Sequence, residues 1–173
     1  MQKLQGMTLV ELLISMAILA VTLGIAVPSF ANLIRDTRLT TVINEMHGAL
    51  FYTRSESIKR GRRVTICTSA DNESCVAGVG WHSGWIVFDD RNANGVRDPD
   101  ETILRVGMPQ AAGITVTGNG PVSNYVSYIP SGTTRRVSGA LQMGTITACS
   151  GQRVRQIVIS ATGRPRVVRD GEC

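Results

Sequence analysis

Histidine is nearly absent from this 173-residue chain, which has only His47 and His82. Neither belongs to a His-Glu-x-x-His pattern, and the chain has no Gly-x-Ser-x-Gly and no phosphate-cradling loop. No enzyme activity and no cofactor are expected. The four cysteines, Cys67, Cys75, Cys149 and Cys173, include no C-x-x-C pair, so a zinc site is not expected either. Lysine is also scarce: every basic residue except Lys3 and Lys59 is arginine, the side chain suited to bidentate phosphate or carboxylate contacts. Repeats are missing, and so is any linker long enough to separate domains. One globular domain with an extension fits the length.

Charge is missing from residues 12–30, a run of about 28 Å as a helix, the thickness of a hydrocarbon core. A secretory signal peptide has a shorter apolar core and a small-residue cleavage site behind it; Ala26-Val27-Pro28 fits such a site poorly. The segment therefore reads as a retained membrane anchor. Glu11 stands at its mouth, where an unpaired acid is costly and points to a function.

Net charge is +5, all of it in the last 39 residues. Residues 1–134 balance, whereas residues 135–173 hold Arg135, Arg136, Arg153, Arg155, Arg164, Arg166 and Arg169 against Asp170 and Glu172. In an exported domain the four cysteines read as two disulfides. Three pairings are open; Cys67–Cys75 with Cys149–Cys173 is favoured because each closes a local loop, the second stapling the chain end.

Beyond Phe30, apolar residues at Leu33, Ile34, Leu39, Val42, Ile43, Met46, Leu50 and Phe51 mark one helical face, and Gly61 after Lys59 and Arg60 supplies a stop. One helix over about residues 7–60 is predicted, with Pro28 kinking or locally opening it. From residue 62 the period becomes two. Strands are predicted at 63–68, 84–89, 102–106, 114–118, 125–130, 140–148, 153–160 and 164–169, with a hairpin turn in "SATGRPR" (160–166). Trp81 and Trp85 are expected in the core and His82 at the surface.

The stretch "DRNANGVRDPDE" (90–101) matches the calcium-loop pattern, with Asp90, Asn92 and Asn94, Gly95 at the sixth place and Glu101 at the twelfth. Strands rather than helices flank it, Pro99 stands where an exit helix would begin, and Arg91 and Arg97 oppose a cation. A polar turn between two strands is the preferred reading, with no metal.

Gly6 followed by Met7-Thr8-Leu9-Val10-Glu11-Leu12-Leu13 resembles the type III signal of type IV pilins and type II secretion pseudopilins. "GWHSGWIVFDDRN" (80–92) with "ETILR" (101–105) is similar to the GspH/FimT-type pilin domain. The resemblance implies an α+β fold: a long N-terminal helix, transmembrane then amphipathic, followed by a globular head of antiparallel β-sheets. It implies a leader, residues 1–6, removed by prepilin peptidase between Gly6 and Met7, with methylation of the new terminus. Met7 stands where the family usually has Phe. Residues 7–30 become the transmembrane and assembly segment, 31–61 the amphipathic half packing on the head, and 62–173 the head. Glu11 becomes an assembly residue that pairs with a terminal amino group.

The pairs Arg153/Arg155 and Arg164/Arg166 are spaced to project from one strand face each, and Gly163 allows a tight turn between them. The resemblance extends to the basic Gly-Arg-x-Arg motif (163–166) tied to DNA capture in minor pilins of this type. It implies a minor pilin at or near a pilus tip that binds double-stranded DNA non-specifically for natural transformation, with Arg135 and Arg136 as auxiliary contacts. The other open reading is a structural minor pilin or type II secretion pseudopilin that primes filament assembly without DNA. Implied partners are other major and minor pilins, the peptidase and the inner membrane. The implied location, in a Gram-negative bacterium, is single-pass in that membrane with a periplasmic head, and extracellular in the pilus after assembly.

Overall fold

The computed structural model describes residues 8–169 and 171–173. The cleavage site expected at Gly6 and Met7 lies outside the described residues. The chain divides into two units, one ending at Thr37 and the other running Arg38–Cys173.

Helix α1 spans Leu9–Arg60. Its start is capped reciprocally: Glu11 Oε2 accepts from Thr8 N and Thr8 Oγ1, both at 2.9 Å, while Glu11 N donates to Thr8 Oγ1 at 3.3 Å. Within the first unit the helix exposes large apolar side chains all round, among them Leu12, Ile14, Leu19, Leu23 and Phe30. By length and composition it can cross a membrane. The helix continues through Pro28 without ending there. Gly61 ends it with a positive φ of 66°.

In the second unit, α1 buries Leu39, Val42, Ile43, Met46, Ala49, Leu50, Thr53 and Ser57. The three-four spacing marks this face from Leu39 to Leu50, but Phe51, which it also includes, is exposed, as are Leu33 and Ile34 in the first unit. Among the described residues eight strands follow, β1 (Val64–Thr68), β2 (Trp85–Phe88), β3 (Ile103–Gly107), β4 (Thr115–Gly118), β5 (Tyr125–Tyr128), β6 (Gly144–Ser150), β7 (Arg153–Ile159) and β8 (Pro165–Val168). They form two four-stranded sheets, ordered β3-β2-β1-β5 and β4-β6-β7-β8, with every pairing antiparallel. The main core joins the helix face to both sheets through Ile66, Val87, Val126, Ile146, Ile157 and Ile159. β1 and β2 are buried on both faces, because Cys67, Ile86 and Phe88 form a second cluster on the side away from the helix.

Trp81 and Trp85 are both buried, and Trp81 Nε1 donates to Val122 O at 3.0 Å. His82 is not the surface residue its neighbours imply. It is half-buried, with Val116 N donating to its Nδ1 at 3.2 Å, because the turn at Trp81–Ser83 lays the ring on β4.

Candidate nucleic-acid interface

The β7–β8 hairpin carries the arginine pairs. Its register sets Val158 opposite Arg166 and Ile159 opposite Pro165. Ile157 and Ile159 enter the main core, so the odd-numbered residues of β7 define the inner face. Arg166 shares the side of Val158 and therefore lies on the outer face. Arg164 and Arg166 are exposed, and buried Pro165 stands between them. His47 Nε2 lies 3.3 Å from the Pro165 carbonyl, which fixes this strand against α1 within the head.

Gly163 anchors the tip. It is buried with φ +73°, and a Cβ there would lie 2.5 Å from Gly132 O and 3.0 Å from Thr133 Cα. The turn thus sits directly on residues 132–134, just before Arg135 and Arg136. That segment is held in turn by Arg63, whose Nη1 donates to the Arg135 carbonyl at 3.3 Å. Arg136 is exposed and Arg135 half-buried, with its own Nη1 donating to Gly139 O at 3.4 Å.

Arg153 and Arg155 belong elsewhere. Their parity is that of Ile157, so they lie on the inner side of the sheet, Arg153 exposed and Arg155 half-buried. Along β7 they stand roughly 17 Å and 10 Å from the residue opposite Arg166. Arg155 faces Ala148 across β6, and its Nη1 donates to Val154 O at 2.9 Å. The Cys149–Cys173 disulfide closes on this end, bringing acidic Glu172 with it. Continuing the β7–β8 register by one residue sets Arg169 across from Arg155.

The structure therefore gathers Arg164 and Arg166 with the 135–136 loop and leaves Arg153 and Arg155 at the far end of the other face. Arg63 and Arg169 take their places beside these groups although no motif marks them. Counting parity from Ile157 is the one signal in the sequence that separates the two pairs, and it needs the register to be known.

A second polar constellation occupies residues 90–101, the connection from β2 to β3. Asp90 is buried and held by Thr65 Oγ1 at 2.7 Å and by Gly95 N at 3.1 Å, both on Oδ2. Burial pushes its pKa up, and the Thr65 bond opposes that rise. Asn92 and Asn94 are exposed, and both amides donate to Asp98 Oδ2, at 2.7 and 2.9 Å. Glu101 is buried and accepts from Arg91 N at 2.7 Å and Asp98 N at 3.1 Å. Among the described residues, no group of three or more His, Cys, Asp and Glu side chains is gathered closely enough to hold a metal by itself. The other disulfide, Cys67–Cys75, lies against the same connection, and both border a shallow cavity of about 200 Å³ with Gly95 and Tyr125.

An apolar helix of membrane-crossing length, capped through a Thr-Glu pair and leading into a head of two antiparallel sheets, defines a pilin-like filament subunit. Residues 42–163 match the family model described as "Type II transport protein GspH", and residues 1–27 match the prokaryotic N-terminal methylation motif. The chain belongs to the GspH family. The head is similar in fold to the type IV minor pilin FimU of Pseudomonas aeruginosa, with a TM-score of 0.55, 21% identity, and 79% of this chain and 90% of that one covered. It is also similar to the minor pseudopilin EpsH of the type II secretion system of Vibrio cholerae, with a TM-score of 0.51, 10% identity, and 81% and 99% covered. Among curated proteins, none matches the sequence. The role is that of a pilin or pseudopilin, a structural subunit assembling with other pilins in a pilus or secretion filament.

Proposed function

We propose that this chain is a minor subunit of a type IV pilus that binds extracellular double-stranded DNA through Arg164 and Arg166. The supporting observation is the hairpin tip: two exposed arginines flank a buried proline, and Gly163 beds the turn against residues 132–134. Two guanidinium groups on a fixed backbone can bridge successive phosphates with little conformational entropy to lose. Arg135 and Arg136 extend the same surface. Arg153 and Arg155 form a separate basic end that reaches DNA only if the duplex wraps the edge of the sheet. Among the described residues the tip offers no aromatic platform for stacking bases, and in this reading its arginines meet phosphate and are indifferent to sequence.

In this reading prepilin peptidase removes residues 1–6, residues 7–30 hold the subunit in the inner membrane with its head in the periplasm, and assembly carries the head outside the cell. Glu11 caps its own helix through Thr8 before assembly and exchanges that partner for a neighbour's terminal amino group in the filament.

The test is titration of duplex DNA into residues 31–173, produced under oxidising conditions, at several salt concentrations. Wild type binds more weakly as salt rises. Arg164→Gln/Arg166→Gln reduces the slope of log K against log salt by about 2, and Arg153→Gln/Arg155→Gln changes it less. If neither wild type nor variant binds even when heads are displayed densely, the basic tip faces another pilin. The chain is then a structural subunit that primes assembly of a pilus or a secretion pseudopilus.

A further inference from the structure

We propose that the loop at residues 90–101 binds one calcium ion, through Asp90, Asn92, Asn94, the Val96 carbonyl, Asp98 and Glu101. Oxygen donors occupy the first, third, fifth, seventh, ninth and twelfth places, the set that wraps a hard cation of this size. Gly95 at the sixth place has φ +75°, and a Cβ there would lie 2.8 Å from Val137 Cγ2.

The independent observation is Asp90. It is fully buried, and its carboxylate is turned into the loop by the Gly95 amide on Oδ2, yet Oδ1 has no hydrogen-bond partner. A buried carboxylate oxygen left without a partner is costly, and a cation inside the loop supplies one. The other side-chain donors are tied to one another or to the backbone of the same loop. Asn92 and Asn94 both direct their amides at Asp98 Oδ2. Each also accepts one backbone N–H on Oδ1, from Asn94 and Val96, which leaves that oxygen a second lone pair. Glu101 is held inside by two backbone amides rather than by a cationic side chain. Binding then requires the Asn92 and Asn94 amides to turn over and release Asp98, so that their oxygens face inward, and Asp98 and Glu101 to close on the ion; half of the donors are neutral, so the acids need not cluster beforehand.

The features that oppose a cation in the sequence are answered by the geometry. Arg91 is directed at Asp89, with Nε 3.7 Å from Oδ2. Arg97 turns back to the main chain, donating to Glu101 O at 3.2 Å and Pro99 O at 3.4 Å. Arg63 is the charge whose field reaches Asp90, and its Nη1 donates to Ser127 Oγ and the Arg135 carbonyl. Among the described residues, no ion pair involves Asp90, Asp98 or Glu101. Flanking helices are not required, because strands β2 and β3 fix the loop ends. Phe88 is in register with Ile103, and Asp89 N donates to Thr102 O at 3.1 Å.

Three carboxylates in an extracellular module correspond to a dissociation constant of about 0.1–1 mM. The test uses the full-length chain in detergent, stripped with a chelator, with calcium chloride followed by calorimetry and by thermal melting. The expected result is one saturable site, a rise in melting temperature with calcium, and binding of magnesium chloride at least about tenfold weaker. Asn92→Ala and Asp98→Asn, each outside the core, lose hydrogen bonds within the loop and are compared with their own calcium-free melting; both lose at least about tenfold in calcium affinity and most of the calcium-induced rise. Absence of heat and of any melting shift up to about 10 mM calcium, well above that range, overturns the site. So does wild-type calcium affinity in both variants.

Discussion

Gly163 shows how one atom governs the hairpin tip. Its positive φ alone disfavours any other residue, but the contact with Gly132 O adds a second penalty, because a Cβ at 2.5 Å cannot be accommodated without moving backbone. Gly139 separates the two contributions: its φ is +85°, yet a Cβ there meets nothing within 4 Å. Gly163→Ala is therefore expected to cost about 2–4 kcal/mol, against roughly 1 kcal/mol for Gly139→Ala. Denaturant unfolding of residues 31–173 measures both. Equal costs would mean that the tip is not wedged against residues 132–134, and the rigid display of Arg164 and Arg166 would lose its basis. The glycine is plain in the sequence as a turn residue, but its neighbour is not, because Gly132 is distant in the chain and comes into contact only through the fold.

Among the elements, the β1-to-disulfide turn offers a pH test. Asp71 accepts hydrogen bonds from Ser69 Oγ, Glu73 N and the amide and hydroxyl of Ser74, and these bonds, Ser74 foremost, hold its carboxyl well below its ordinary 3.8. A depressed carboxyl stabilises the fold above its unfolded value and loses that contribution as pH falls toward its folded value. Asp71→Ala should melt below wild type at neutral pH, and the gap should close as pH drops below 3.8. A gap that stays constant with pH would assign the effect to packing instead. The strands are legible: alternating apolar residues between Gly, Asn, Asp and Pro mark each to within a few residues, and three-four spacing marks most of the buried face of α1, exposed Phe51 excepted. What the sequence does not carry is register. Whether Arg155 shares a face with Arg166 depends on how many residues the 160–164 turn consumes, and one residue more or less reverses the answer. His82 escaped for the same reason, since its partner Val116 belongs to the other sheet.

At the scale of the molecule, charge and anchor sit at opposite ends of the sequence: an uncharged run at residues 12–30 and an excess of +5 in the last 39 residues. A filament that carries more than one copy of this subunit would present more than one basic tip to a single polyanion. Each tip offers two exposed guanidinium groups on a backbone wedged at Gly163, a small count that gives weak and strongly screened binding alone. Repetition changes the outcome, because the second contact becomes intramolecular. Two heads joined by a flexible linker should bind a duplex long enough to span both at least about 100-fold more tightly than one head does. The salt slope should roughly double. A duplex covering one head only should show little gain. Comparing the two lengths at fixed salt separates avidity from a change in the head itself. A linked pair that gains no more than the statistical factor of about two on the long duplex would show that the tips cannot engage one DNA together. The arginines would then belong to a contact between subunits, where one complementary acidic surface per head is enough.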